Sequence, residues 1–169
     1  MPVTNYSEKM NLYFLKHEDP KHQAWEGGYI DHVVEVMNIA VALYEPLNIQ
    51  RTLPFSLSDS LLVLYLHDLE KPWKHIVSSE KVVDSAELDT KNKRLSFVER
   101  KLTEYGFQLT PEQYNALRYV EGEGNNYDPH IRVQGPLAAF AHLCDVTSAR
   151  IWFDYPLEQN DPWRGARRI

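Results

Sequence analysis

The stretch Leu61-Leu-Val-Leu-Tyr-Leu66 runs directly into His67-Asp68. A run this apolar has to be buried, and it carries the two ionisable groups at its end inward with it. Pro54 breaks the chain before the run, Ser56 or Ser58 can cap a helix, and Pro72 can stop one. The run therefore predicts a central helix from Ser60 to about Leu69, apolar on all sides.

Two more segments share this character. A helix is expected from about Tyr29 to Tyr44, after Gly27-Gly28 and stopped near Pro46. It is apolar apart from one narrow polar stripe, Asp31, Glu35 and Asn38, and His32 lies off that stripe. A last helix, opened by Gly135-Pro136, is expected from Leu137 to about Trp152 and carries His142 and Asp145. Weaker patterns predict a short helix over residues 5–16, with Leu12, Phe14 and Leu15 apolar. Another runs from Lys91 to Tyr105, with Leu95, Val98 and Leu102 on one face and Gly106 as its stop. A third starts at Thr110-Pro111-Glu112 and ends near Gly122. Residues 121–135 read as loop, and no stretch shows a convincing strand alternation. The expected fold is all-α, a bundle of five to seven helices. Residues 1–155 read as one domain and residues 156–169 as a polar tail.

With 169 residues, 43% hydrophobic and 25% charged, the chain can build one domain with a real core. A net charge of -6 and a pI near 5.6 argue against an extended nucleic-acid surface. A local basic pocket for a small phosphate stays open. The single cysteine, Cys144, excludes an intrachain disulfide and a Cys-rich zinc module, and reads as a small buried residue. No run approaches the roughly 20 apolar residues of a membrane span. Met1 to Asn5 form no apolar signal region, so a cytoplasmic location without membrane partners is expected.

Carboxylates and imidazoles on the three most apolar helices need a reason to be there. A buried carboxylate without a partner would shift its pKa and neutralise. His32, His67, Asp68 and Asp145 are easily explained if one divalent cation joins them. Mixed nitrogen and oxygen donors suit Mn, Fe, Co, Ni or Zn better than Ca or Mg. The bland alternatives are a capped helix end for His67-Asp68 and an Asp145 satisfied by backbone or an arginine. His142 reads as a core residue or as the neighbour of a ligand, and His75 and His130 as surface or pocket-rim residues. The Lys91–Lys101 charges read as a solvated face.

In order along the chain, His32, His67-Asp68 and Asp145 resemble the H…HD…D signature of the HD superfamily of metal-dependent phosphohydrolases. His22-Gln-Ala-Trp-Glu-Gly-Gly-Tyr-Ile-Asp-His32 is similar to the His-x-Ala-x-x-Gly-Gly-Leu-x-x-His segment of one HD branch, which includes 3'-5' exoribonuclease-type members. Leu66-His-Asp-Leu-Glu-Lys71 resembles the family's Leu-His-Asp-Ile/Leu-Gly-Lys. His142-Leu-Cys-Asp145-Val-Thr-Ser-Ala149 resembles its closing His-x-x-Asp-x-x-x-Ala. The resemblance covers roughly residues 20 to 150. Two positions depart from it. Glu70 stands where that branch has Gly, and Tyr119-Val-Glu-Gly122 lacks the His that two-metal relatives often carry there. The expectation is one firmly held metal, or a second held weakly by carboxylate.

The resemblance implies hydrolysis of a phosphate ester or anhydride, on a small phosphorylated substrate such as a nucleotide. Asp68 would ligate the ion and orient or deprotonate water. Lys71 would neutralise phosphate charge, with Arg132 or Arg150 pairing its oxygens. His22 is a candidate acid for the leaving group, Trp25 and Trp73 are candidate stacking surfaces or core residues, and Glu121 is a candidate substrate contact. Two alternatives stand beside this reading. One is a catalytically silent HD module that binds a nucleotide or a protein; the other is a di-iron HD oxygenase, against which the missing histidines argue. The pattern is compatible with a homo-oligomer.

Overall fold

A computed structural model of the chain describes Gln23 and residues 28–78 and 81–151. These residues form an all-α bundle. Its five main helices are α1 (Gly28–Gln50), α2 (Leu57–Leu66), α4 (Lys91–Glu104), α5 (Pro111–Tyr119) and α6 (Pro136–Ile151), with one helical turn, α3 (Lys71–Lys74), after α2. The helix expected over 5–16 and the tail 156–169 lie outside the described residues. None of the described helices is long and apolar enough to cross a membrane.

α1 buries Val33, Val36, Ile39 and Ala40, a stripe at helical spacing. Pro46 does not stop it: the helix runs on to Gln50. Proline removes one backbone donor, which leaves the carbonyl four residues earlier without its helical partner. Here that carbonyl belongs to Ala42, which is exposed, as is Pro46, so water can take over the lost bond.

α2 is fixed at its start by a capping box. Ser56 Oγ accepts from the Asp59 N–H, and the Asp59 carboxylate accepts from the Ser56 N–H at 3.1 Å. The helix is not buried all round, as its composition suggested. Val63, Leu64 and Leu66 are buried, but the Tyr65 side chain points outward and is 54% exposed. It also ends earlier, at Leu66. The backbone then tightens into i→i+3 bonds, Leu69 N–H to Leu66 O at 3.1 Å and Lys71 N–H to Asp68 O at 3.0 Å. Pro72 does not terminate α2 but sits in the first turn of α3, where its missing N–H needs no partner.

A short antiparallel hairpin follows, β1 (His75–Ser78) and β2 (Lys81–Asp84), with His75 opposite Asp84. The sequence showed no strand here, because four residues per strand are too few to display an alternation. α4 starts at the Thr90 cap and ends before Gly106, whose positive φ of 76° suits glycine. α5 opens on a second capping box, Thr110 with Gln113. The Gln113 amide also donates to Asp59 Oδ1 at 2.7 Å, tying α5 to the start of α2.

One core holds these elements together. Val36 and Ile39 of α1 meet Leu64 and Leu66 of α2, Leu102 of α4, Leu117 of α5 and Phe140 of α6. α6 packs against α1, α2 and α5. That packing brings His32, the end of α2 and Asp145 to one place.

Candidate metal centre

The turn after α2 explains how neighbouring residues serve one point. His67 closes the helix at φ -60° and ψ -31°, and the chain then winds tightly through Asp68. In a continuing α-helix, adjacent side chains diverge by about 100°. Here His67 Nε2 lies 3.3 Å from Asp68 Oδ2. His32 Nε2 arrives from α1, 3.2 Å from His67 Nε2 and 3.7 Å from Asp68 Oδ2. Asp145 Oδ1 arrives from α6, 3.1 Å from His32 Nε2 and 3.8 Å from His67 Nε2. Ligand atoms of His32, His67 and Asp68 all fall within 4.8 Å of one another. The side chains of His32 and His67 are each 2% exposed and that of Asp68 7%, whereas Asp145 keeps 16%, so solvent reaches the cluster along Asp145.

The outer nitrogens of the two rings decide what the inner ones can do. His67 Nδ1 lies 2.5 Å from the Leu64 carbonyl, which can only accept, so Nδ1 carries a proton. His32 Nδ1 lies 3.0 Å from Ser148 Oγ. That hydroxyl donates its own proton to the Glu35 carboxylate, so it accepts from His32 Nδ1. Gln23 supports the pair, donating to Glu35 at 2.9 Å and to Ser148 Oγ at 3.0 Å. Both Nε2 atoms are thus turned toward the two carboxylates, the arrangement that prepares imidazoles for a metal.

Electrostatics agree with a place for positive charge. Burial pushes the His32 imidazolium down to about 4, although Asp145 pulls it up. Burial also works against charge on His67, but the Asp68 and Asp145 carboxylates outweigh it and raise that ring to about 9. The pair therefore carries a single positive charge at neutral pH, one proton beyond the two on the Nδ1 atoms. Asp68 is held well below the usual carboxylate range, because His67 and Lys71 overcome its burial. Asp145 is lowered despite burial, chiefly by His32. Asp68 Oδ2 is buried and accepts no hydrogen bond of ordinary geometry. An ion pair with the Lys71 ammonium and the two imidazoles surround it instead. A buried carboxylate oxygen that faces two imidazole nitrogens fits a divalent cation, and His32, His67, Asp68 and Asp145 would hold it.

The other expected residues fall in several places. Lys71 reaches the centre through Asp68. Glu121 is exposed and pairs with Arg94 Nη2 at 3.7 Å, while Arg94 Nε lies 3.8 Å from Glu70. Glu70, in the position where the resemblance expects Gly, is buried; burial and then Asp68 push its carboxyl up to about 7. Arg132 and Arg150 are exposed, and among the described residues no ion pair or hydrogen bond ties either to the centre. His22 and Trp25 lie outside the described residues. His142 donates from Nδ1 to the Val120 carbonyl at 2.6 Å, so it braces the turn beside Glu121. Trp73 packs on Phe97 with ring centroids 5.5 Å apart. Cys144 is buried, and burial pushes its thiol up to about 12, which leaves it without nucleophilic character at neutral pH.

The sequence reading missed Glu35 and Ser148. Each stands three residues after a proposed ligand, Glu35 after His32 and Ser148 after Asp145, so each shares its ligand's helix face. Asp31, Glu35 and Asn38 read only as a narrow polar stripe, yet Asp31 is buried and Glu35 turns toward α6. No protein-family model, curated protein or solved structure matches the chain.

Proposed function

We propose that the chain is a metal-dependent phosphohydrolase of the HD superfamily, acting on a small phosphate ester or anhydride such as a nucleotide. The observation that carries the reading is the convergence of His32, His67, Asp68 and Asp145 with a lysine beside them. A divalent transition metal, when bound, supplies Lewis acidity toward a phosphoryl oxygen and toward the attacking water. Asp68 is ionised at neutral pH and can orient that water and receive its proton. Lys71 stays charged and can leave Asp68 for an incoming phosphate. Asp145 lies on the solvent side of the cluster, where a substrate enters. A cytoplasmic setting belongs to the same reading.

The test is hydrolysis by protein loaded with Mn, Co, Ni or Zn, against a panel of nucleotides and a generic phosphodiester. His32→Ala and Asp145→Ala should lose metal and activity together. Either purified variant keeping the wild-type metal content would defeat the assignment. A second reading, a silent HD module that binds a nucleotide or protein, draws support from the Lys71 ammonium already seated on Asp68 Oδ2. Nucleotide binding without hydrolysis under any of the metals would favour it.

A further inference from the structure

We propose that the crevice between α4 and α5 is a binding site for a phosphate monoester with an aromatic or apolar body, its phosphate held by Lys91, Arg94 and Arg118. The inference rests on the phosphohydrolase reading for its link to catalysis, but the binding site stands on its own residues.

A small hollow of about 30 Å³ lies against His67 and Glu70, with Lys91 and Arg94 of α4 and Arg118 of α5 around it. Three cations meet two carboxylates there, Glu70 and Glu121, in a chain whose net charge is -6. Both carboxylates are drawn to Arg94, at 3.8 and 3.7 Å, too far for good hydrogen bonds. Lys91 and Arg118 have no ion pair among the described residues and instead flank the Tyr119 ring, at 5.8 and 5.7 Å from its centroid. Unmatched cations converging next to an imidazole are suited to an oxyanion, and a guanidinium pairs two phosphate oxygens at once.

Leu95, Val98, Leu117 and Arg118 also line a second cavity of about 330 Å³, whose walls include Tyr114 and Pro111. That volume is in the range of pockets for small organic ligands. Its walls are mostly apolar, and Tyr114, 40% exposed, is the one aromatic residue among them. A free phosphate would use only the basic end. A largely apolar cavity that shares a wall with the basic hollow suits an ester whose leaving group carries a ring or hydrocarbon. A long polyanion would leave this wall unused.

The experiment measures calorimetric binding of inorganic phosphate and 1-naphthyl phosphate to the full chain, metal-free and Mn-loaded. Naphthyl phosphate should bind the metal-free chain about tenfold more tightly than phosphate, the increment expected from burying part of a ring. Lys91→Ala and Arg118→Ala should each weaken both ligands about tenfold, as the loss of one charge-assisted contact does. Tyr114→Ala should weaken naphthyl phosphate alone, and Lys93→Ala, on the same helix but paired with Asp89, should change neither. Metal content should stay at the wild-type level throughout. Absence of binding to the wild type, or wild-type affinity in both Lys91→Ala and Arg118→Ala, overturns the site. If the loaded enzyme hydrolyses naphthyl phosphate while those two variants match it in affinity and rate, the crevice is wrong and the phosphohydrolase reading survives. If binding follows the expected pattern without hydrolysis, the site survives and the catalytic reading falls.

Discussion

His32 and His67 face each other through their Nε2 atoms at 3.2 Å, with a carboxylate oxygen on either side. Two imidazoles in this position share one proton or surrender it to a cation. The consequences for binding and stability can be measured.

The first is the effect of the cation on folding. The proposed ligands come from α1, the turn after α2, and α6, so an ion joins elements that separate on unfolding. A ligand at a hundred times its Kd stabilises by about 2.7 kcal/mol, a rise in Tm of roughly 5–10 °C for a chain of this size. Differential scanning calorimetry before and after chelation checks it. Identical melting curves would argue that nothing is held there.

Metal uptake should release about one proton per ion near neutral pH, because His67 is protonated up to about 9 and His32 only below about 4. Calorimetry in buffers of different ionisation enthalpy counts that proton directly. Without metal, the raised His67 ring contributes stability that is complete below 6.5 and lost as pH rises through about 9. The metal-free chain should therefore melt earlier at pH 9 than at pH 7, as far as this ring is concerned. His67→Gln should flatten that slope.

Ser148→Ala and Glu35→Gln should each weaken metal binding by about 10–100-fold while leaving the fold intact. Ser148→Ala removes the hydroxyl that accepts from His32 Nδ1, and Glu35→Gln weakens the acceptor that keeps that hydroxyl's own proton turned away from the ring. Competition with a chromophoric chelator gives the affinity, and Ser148→Thr, which restores a hydroxyl, should recover most of it. A purely structural serine would show the same loss in melting temperature without the change in affinity.

The start of α2 carries a separate acid response. Ser56 lowers the Asp59 carboxyl below its ordinary value through its hydroxyl and its N–H, with Gln113 adding to the effect. Stability from that group is present above about 3.9, the unfolded value, and is lost as pH falls through the lower folded value. Ser56→Ala should cost about 1 kcal/mol at pH 7. The difference from wild type should shrink in acid, and urea titrations at pH 7 and pH 3 test this.

How much of this could be seen in the chain beforehand depended on the range of the interactions. The Leu61–Leu66 run, the caps at Thr110 and Ser56, and the stop at Gly106 are local, and the helices formed where those signals placed them, give or take a turn. The four proposed ligands were legible because ionisable groups stood inside apolar periodicity. Glu35 and Ser148 were not, since a glutamate on a helix looks solvated until its tertiary partner is known. Pro46 was misjudged for the opposite reason: the local rule was sound, but an exposed helix side lets water replace the missing bond. The crevice between α4 and α5 depends on how two helices are set against each other, which no single-segment pattern encodes.

The cluster draws its members from residue 32 at one extreme and residue 145 at the other. During synthesis the donor set stays incomplete until α6 has left the ribosome and docked. Any ion captured there has to wait for that helix, and a product cut short before it would be recognisable by its poor hold on metal.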